Sequence, residues 1–232
     1  MQMQRLEPEL HRLRDEVLNL GRMVERAIVA SVDVLQRRPS TGSQPLITLD
    51  HQIAKKRLAI ELDCISLIAS EQPSDDDLRA ITSMLEIANE LERIGNYITE
   101  IARIHFMLVR VEESLVSSLA DIHRMAAQAG DMLHRALQAF VDQDLALARA
   151  VLSEDDAVDV LHDQVYQGLL VFMKGKSRAM IKQTRYLSQI ARNLERTADR
   201  VTNICEWVAF AITGGLMHTA DESVNLFQEE LV

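Results

Sequence analysis

One stretch of the chain occurs twice. Residues 88–102 read ANELERIGNYITEIA and residues 191–205 read ARNLERTADRVTNIC. Ala88, Leu91, Glu92, Arg93, Thr99 and Ile101 return as Ala191, Leu194, Glu195, Arg196, Thr202 and Ile204 at a constant offset of 103. Similarity at fixed offset marks an internal repeat, and the chain must then fold as two like units. Fainter matches extend it. Met132, Arg135 and Ala136 answer Met23, Arg26 and Ala27 at 109, and Asp155 and Val158 answer Asp50 and Ile53 at 105. The offset shrinks along the chain, so loops are trimmed while the regular elements keep their lengths.

Those elements read as helices. Aromatic residues make up only 4% of the 232 residues, and all four prolines (Pro8, Pro39, Pro45, Pro73) fall in the first third. Leu, Ala, Ile, Glu and Arg are abundant, which favours long helices over a sheet. The pattern predicts an all-α protein of two pseudo-symmetric three-helix bundles, residues 1–111 and 112–215, followed by a tail, 216–232, with Leu226 and Phe227 available for docking.

The first helix is expected from Leu6 to Arg38, with Leu13, Val17, Leu20, Val24, Ala27, Ile28, Ser31 and Leu35 on one face. RRPSTGSQP, residues 37–45, is a breaker-rich loop. A second helix, Ile47 to Ala69, turns Ile53, Leu58, Leu62 and Ile65 inward. Ser74 with Asp77 forms a helix start, so the acidic run Asp75 to Asp77 reads as capping and dipole chemistry. A third helix, Asp75 to Leu108, carries the first copy of the repeat. The second half opens with a helix from Glu113 to Val141. Ser153 with Asp156 is another cap-like pair, so a short helix or kink is expected before the fifth helix. KGKSR, residues 174–178, is a turn. The last helix ends near Thr213, stopped by Gly214 and Gly215, with Leu187, Ile190, Leu194, Val201, Ile204, Val208 and Ile212 as its seam.

Several functions are disfavoured. A net charge of -10 argues against nucleic acid, whose affinity for proteins comes mainly from a basic face. The first residues, MQMQRLEPELHRLRDE, carry charges where a signal peptide has an apolar run, which makes a cytoplasmic location the expectation. The apolar run Trp207 to Ile212 is far shorter than the roughly 20 residues of a spanning helix. Cys64 and Cys205 form no CxxC and read as core residues. No GxxxxGK, HExxH or GxSxG string is present, and nothing marks the chain as an enzyme.

The chemistry that remains lies in the repeat. Glu195 and Asp199 are four apart, so they share a helix face and can aim carboxylate oxygens at a hard cation. In the first copy Glu92 is followed by Asn96, which keeps one neutral carbonyl oxygen and loses a charge. The plainer reading is a solvated acidic face with Arg93 or Arg196 as partner. Glu90, Glu100, Asn203 and Glu206 are further oxygen donors, each reading more simply as an exposed-face residue. Asp131 with His134, and Asp159 with His162, show the i, i+3 spacing of acid–histidine pairs in di-iron bundles, though Asp is shorter than the Glu those bundles use.

LERIGN and LERTADRVTNI, followed by WVAFAITG at 207–214, resemble the twice-used LERxxD signature of the PhoU family, over nearly the whole chain. The resemblance implies a cytoplasmic regulator of phosphate uptake, an adaptor between the phosphate ABC transporter ATPase and the phosphate-sensing histidine kinase that holds the phosphate regulon low when phosphate is ample. It implies a membrane visited only through those partners, leaves room for a homodimer, and implies acidic metal sites for Mg, Mn or Fe, one per repeat. Carried over, the second site is Glu195 and Asp199. The first is Glu92 with Asn96 in place of the aspartate, and is expected to be the weaker. The residues alone also admit a di-metal carboxylate oxidase or a metal-free helical scaffold.

Overall fold

The computed structural model describes residues 3–36, 44–108, 115–171 and 177–215. Most of the loop expected at 37–45, most of the KGKSR turn, the junction of the repeats at 111 and 112, and the tail with Leu226 and Phe227 lie outside them. Among the described residues seven α-helices, which cover more than two thirds of the chain's length, follow in order: α1 (Met3–Asp33), α2 (Gln44–Glu71), α3 (Asp75–Met107), α4 (Val116–Asp142), α5 (Leu145–Leu152), α6 (Asp155–Leu170) and α7 (Arg178–Thr213). A 3-10 turn, Val34–Gln36, extends α1, and no described residue is in a strand.

The helix ends follow from local chemistry. Ser74 and Asp77 form the capping box at α3: Asp77 N donates to Ser74 Oγ at 3.3 Å and Ser74 N to Asp77 Oδ2 at 3.1 Å. Ser177 caps α7 by accepting from Met180 N at 3.3 Å. Gly214, at φ +76°, takes the left-handed conformation that ends α7, as an unhindered residue does at little cost. The short helix expected before the fifth long one is α5, capped by Asp144, which accepts from Leu147 N at 3.0 Å. Ser153 does not cap α6, however. It sits at the end of α5, where its hydroxyl donates to the Ala150 carbonyl at 2.7 Å, and Glu154 takes the N-cap position.

The α1 face from Leu13 to Leu35 is buried as the sequence predicts. On α2 the expectation fails except at Ile53. Leu58, Leu62 and Ile65 are 48%, 57% and 54% exposed, while the buried face is Ile53, Ile60, Cys64 and Leu67. This helix is apolar on two sides, and its periodicity fits either. Only contact with α1 and α3 decides which faces in.

Helices α1, α2 and α3 pack together, and α4, α6 and α7 repeat the arrangement with α5 added. The two bundles meet through corresponding helices, α3 on α7 and α1 on α4. Along α3 and α7, Glu90 meets Arg200, Tyr97 meets Arg196 and Glu100 meets Gln189, so the pair is antiparallel. Along α1 and α4, Asp33 meets His123 and Glu25 meets His134. Glu25 and His134 are themselves equivalent positions, 109 apart, as expected beside an approximate two-fold axis. Gly21 allows the close crossing: a Cβ there would lie 2.6 Å from Leu137 Cδ1. One hydrophobic core runs through both repeats.

Candidate metal centre

Helix α6 places Asp155 and Asp159 one turn apart, and α7 places Glu195 and Asp199 one turn apart. The two helices pack side by side, bringing four carboxylates into one electrostatic neighbourhood. Burial pushes the Asp155 carboxyl up to about 6, and the negative charges of Asp199, Asp159, Asp156 and Glu195 add to it. Glu195 is raised by burial and by Asp199, against the opposing pull of His162. Asp199 is raised by burial and Asp159, although Arg200 and Arg196 pull it down. Asp155 Oδ1 is buried with no hydrogen-bond partner. Partly buried acids that repel one another are what a hard divalent cation neutralises, and all-oxygen donors suit magnesium, manganese or calcium. The donor chemistry therefore fits a cation. The side-chain geometry is not closed around one: among the described residues no three His, Cys, Asp or Glu side chains gather tightly enough to hold a metal.

The first repeat is arranged otherwise. Arg57 Nε lies 2.9 Å from Glu92 Oε2, and Arg57 also pairs with Glu61. At the offset of 105, Arg57 stands where the second repeat has His162, and Ala54 stands where it has Asp159. With Asn96 opposite Asp199, the first repeat has lost two of four carboxylates and gained a guanidinium on a third. The partner of Glu92 is thus Arg57 of the neighbouring helix, not Arg93 of its own. Arg196 stacks over the Tyr97 ring, 4.4 Å from its centroid.

Other residues singled out by sequence are distributed elsewhere. Glu90 is 7% exposed rather than on an open face, and faces Arg200 at 3.5 Å and Arg93 at 3.8 Å. Glu100 accepts a hydrogen bond from Gln189. Asn203 and Glu206 are half-buried on α7. His134 pairs with Glu25 of α1 at 3.2 Å, and Asp131 with Arg135 at 3.6 Å, so that acid–histidine pair does not act together. Cys64 and Cys205 are buried, and burial pushes both thiols up to about 12, which leaves them inert. Asp155 is the acid that sequence reasoning passed over. Its signal was available: it precedes Asp159 by four residues, the spacing that separates Glu195 from Asp199.

The model of the PhoU domain family matches twice, over residues 17–104 and 122–208. The phosphate-specific transport system accessory protein PhoU homolog of Clostridium acetobutylicum is 31% identical over 210 residues, covering 90% of this chain and 94% of its own. The homolog from Caulobacter vibrioides is 32% identical over 207 residues, covering 89% of each chain. The crystal structure of PhoU from Pseudomonas aeruginosa superposes with a TM-score of 0.84 at 30% identity, over 90% of this chain and 100% of that one. Two family domains in tandem, on a fold shared along nearly the whole length, place this chain in the PhoU family.

Proposed function

We propose that the chain is a cytoplasmic, non-enzymatic regulator of phosphate uptake. It links the ATPase of a phosphate ABC transporter to a phosphate-sensing histidine kinase and keeps phosphate-responsive expression low when phosphate is plentiful. The observation that carries this reading is the similarity, over most of both chains, to proteins named as accessory to phosphate-specific transport. No helix among the described residues is long and apolar enough to cross a membrane, which is compatible with a protein that reaches the membrane through partners.

In this reading Asp155, Asp159, Glu195 and Asp199 hold a divalent cation between α6 and α7, with small side-chain rotations bringing their oxygens together. A bound cation would supply positive charge that pins α6 to α7. The orphaned oxygen of Asp155 and the raised carboxyls support it. A di-metal oxidase is less well supported, since it needs two histidines in one cluster and His134 is engaged by Glu25.

The test is made in the protein's own cells. Deleting the gene is expected to raise expression from a phosphate-responsive promoter in phosphate-rich medium, and the tagged chain is expected to co-purify with the transporter ATPase or the kinase. Unchanged expression together with capture of neither partner would refute the reading.

A further inference from the structure

Apart from the acid cluster, α7 carries a second arrangement that the proposed regulatory role does not use. Arg185, Gln189, Arg192 and Arg196 are spaced four, three and four residues apart, so they form one stripe along the helix. With Ser188 and Asn193, and with Glu100 of α3 opposite, they line a groove of about 400 Å³. Among the described residues none of the three arginines is in an ion pair, although the chain as a whole is strongly acidic. Arg192 and Arg196 are felt through space by Glu195 and Asp199 on the adjacent face of α7 without pairing with them. Glu100, the one carboxylate lining the groove, is held by the Gln189 amide.

Asn193 supplies an independent sign of a ligand. It lines the groove, is 2% exposed, and its Nδ2 is buried with no hydrogen-bond acceptor. Leaving such a buried donor unsatisfied is costly, so a partner that accepts from it is favoured.

The first repeat acts as an internal control. At the offset of 103 it has Thr82, Glu86, Asn89 and Glu90 where the second has Arg185, Gln189, Arg192 and Asn193. Helix packing therefore does not demand Arg185 or Arg192, whereas Arg196 is shared with the first repeat as Arg93. Two positions that are acidic in one repeat have become neutral amides in the other, and two uncharged positions have become cationic.

We propose that this groove binds a small phosphate-bearing anion carrying at least two negative charges. Three guanidinium groups against one carboxylate leave a net positive site, and the planar fork of arginine matches phosphate oxygens in pairs. The volume suits a small molecule rather than a folded partner. The inference stands on the groove alone and is independent of the regulatory reading.

The experiment is calorimetric titration of the full chain with inorganic phosphate, pyrophosphate and ADP, at fixed ionic strength in metal-free buffer so that chelation at the acid cluster does not contribute. Pyrophosphate or ADP is expected to bind saturably, one per chain, and more tightly than phosphate. Arg192→Gln is expected to weaken binding about tenfold or more, and Arg185→Gln with Arg192→Gln to abolish it. Asn193→Asp, which places a carboxylate where the first repeat has Glu90, is expected to abolish it as well. The exposed arginines should be removable without loss of helix by circular dichroism. Tighter binding of ADP than pyrophosphate assigns an organic phosphate, and the reverse an inorganic one; both support the proposal. No saturable binding of any of the three, or binding that the double arginine variant leaves unchanged, overturns it.

Discussion

Arg57 Nε sits 2.9 Å from Glu92 Oε2, so the acid that opens the first LER motif is already neutralised by a neighbouring helix. Glu195, its equivalent, is in no ion pair among the described residues and is raised by burial and by the nearby Asp199 and Asp159, against the pull of His162 and Arg192. Calorimetric titration with manganese is accordingly expected to find one tight site, not two. Asp199→Asn should weaken that site by about tenfold or more, because charge count governs affinity for hard cations. Sequence alone suggests that Asn96→Asp would strengthen the weaker first site. With Arg57 in place it should not, and Asn96→Asp combined with Arg57→His should come closer. Metal binding unchanged by Asp199→Asn would remove the metal centre.

The acid cluster also sets a pH dependence. The Asp155 carboxyl rises from 3.8 to about 6 on folding. Between those values the folded chain holds more protons than the unfolded one, so stability falls as pH climbs from about 4 to about 6. Glu195 and Asp199, raised in the same direction, add to the slope. In metal-free buffer the melting temperature should be higher near pH 4.5 than near pH 7, provided acid unfolding elsewhere has not begun. Asp155→Asn should flatten the slope and raise the melting temperature at pH 7. A steeper slope in that variant would contradict the account.

A packing swap distinguishes the repeats. A Cβ on Gly95 would lie 3.0 Å from Ile53 Cδ1, and the equivalent positions hold Ala198 and Val158. One repeat pairs the smaller helix residue with the larger side chain, and the other moves one carbon across. Ile53→Val alone should cost about 0.5–1.5 kcal/mol. Gly95→Ala added to it should recover about 1 kcal/mol through helix propensity, whereas in the parent chain crowding should cancel that gain. Urea denaturation of the four proteins gives the coupling, and strict additivity would show that the two positions do not interact.

On α2, Leu62→Gln should change stability by less than about 0.5 kcal/mol, because the side chain is 57% exposed. Ile60→Ala, at a buried position, should cost about 2–5 kcal/mol. The opposite order would restore the inward face that sequence periodicity suggested.

The long helices were legible because their apolar residues fall on single faces, as in α1 and α7, and because Ser74 and Asp77 announce a start in four letters. α2 was not, because Leu58, Leu62 and Ile65 repeat as regularly as Ile53, Ile60 and Cys64, and burial is settled by neighbours far away in sequence. The acid cluster proposed as a metal centre was half legible. Glu195 and Asp199 stand in a repeated motif, but Asp155 lies forty residues upstream at the start of another helix. Arg57 likewise shows no sign in sequence that it reaches Glu92, since the contact exists only once α2 is laid on α3.

Corresponding helices meet across the centre of the molecule, α1 with α4 and α3 with α7. A half-length polypeptide using these same contacts would associate with a second copy of itself, and the interface would be self-complementary. In such a homodimer any substitution appears at both sites at once, so exchanging an acid for Asn96 or placing a guanidinium at residue 57 would alter both acid clusters together. Joining the copies in one polypeptide lifts that restriction. Each half can then drift while the seam between them is kept, and a bound ligand on one side has no obligatory twin on the other.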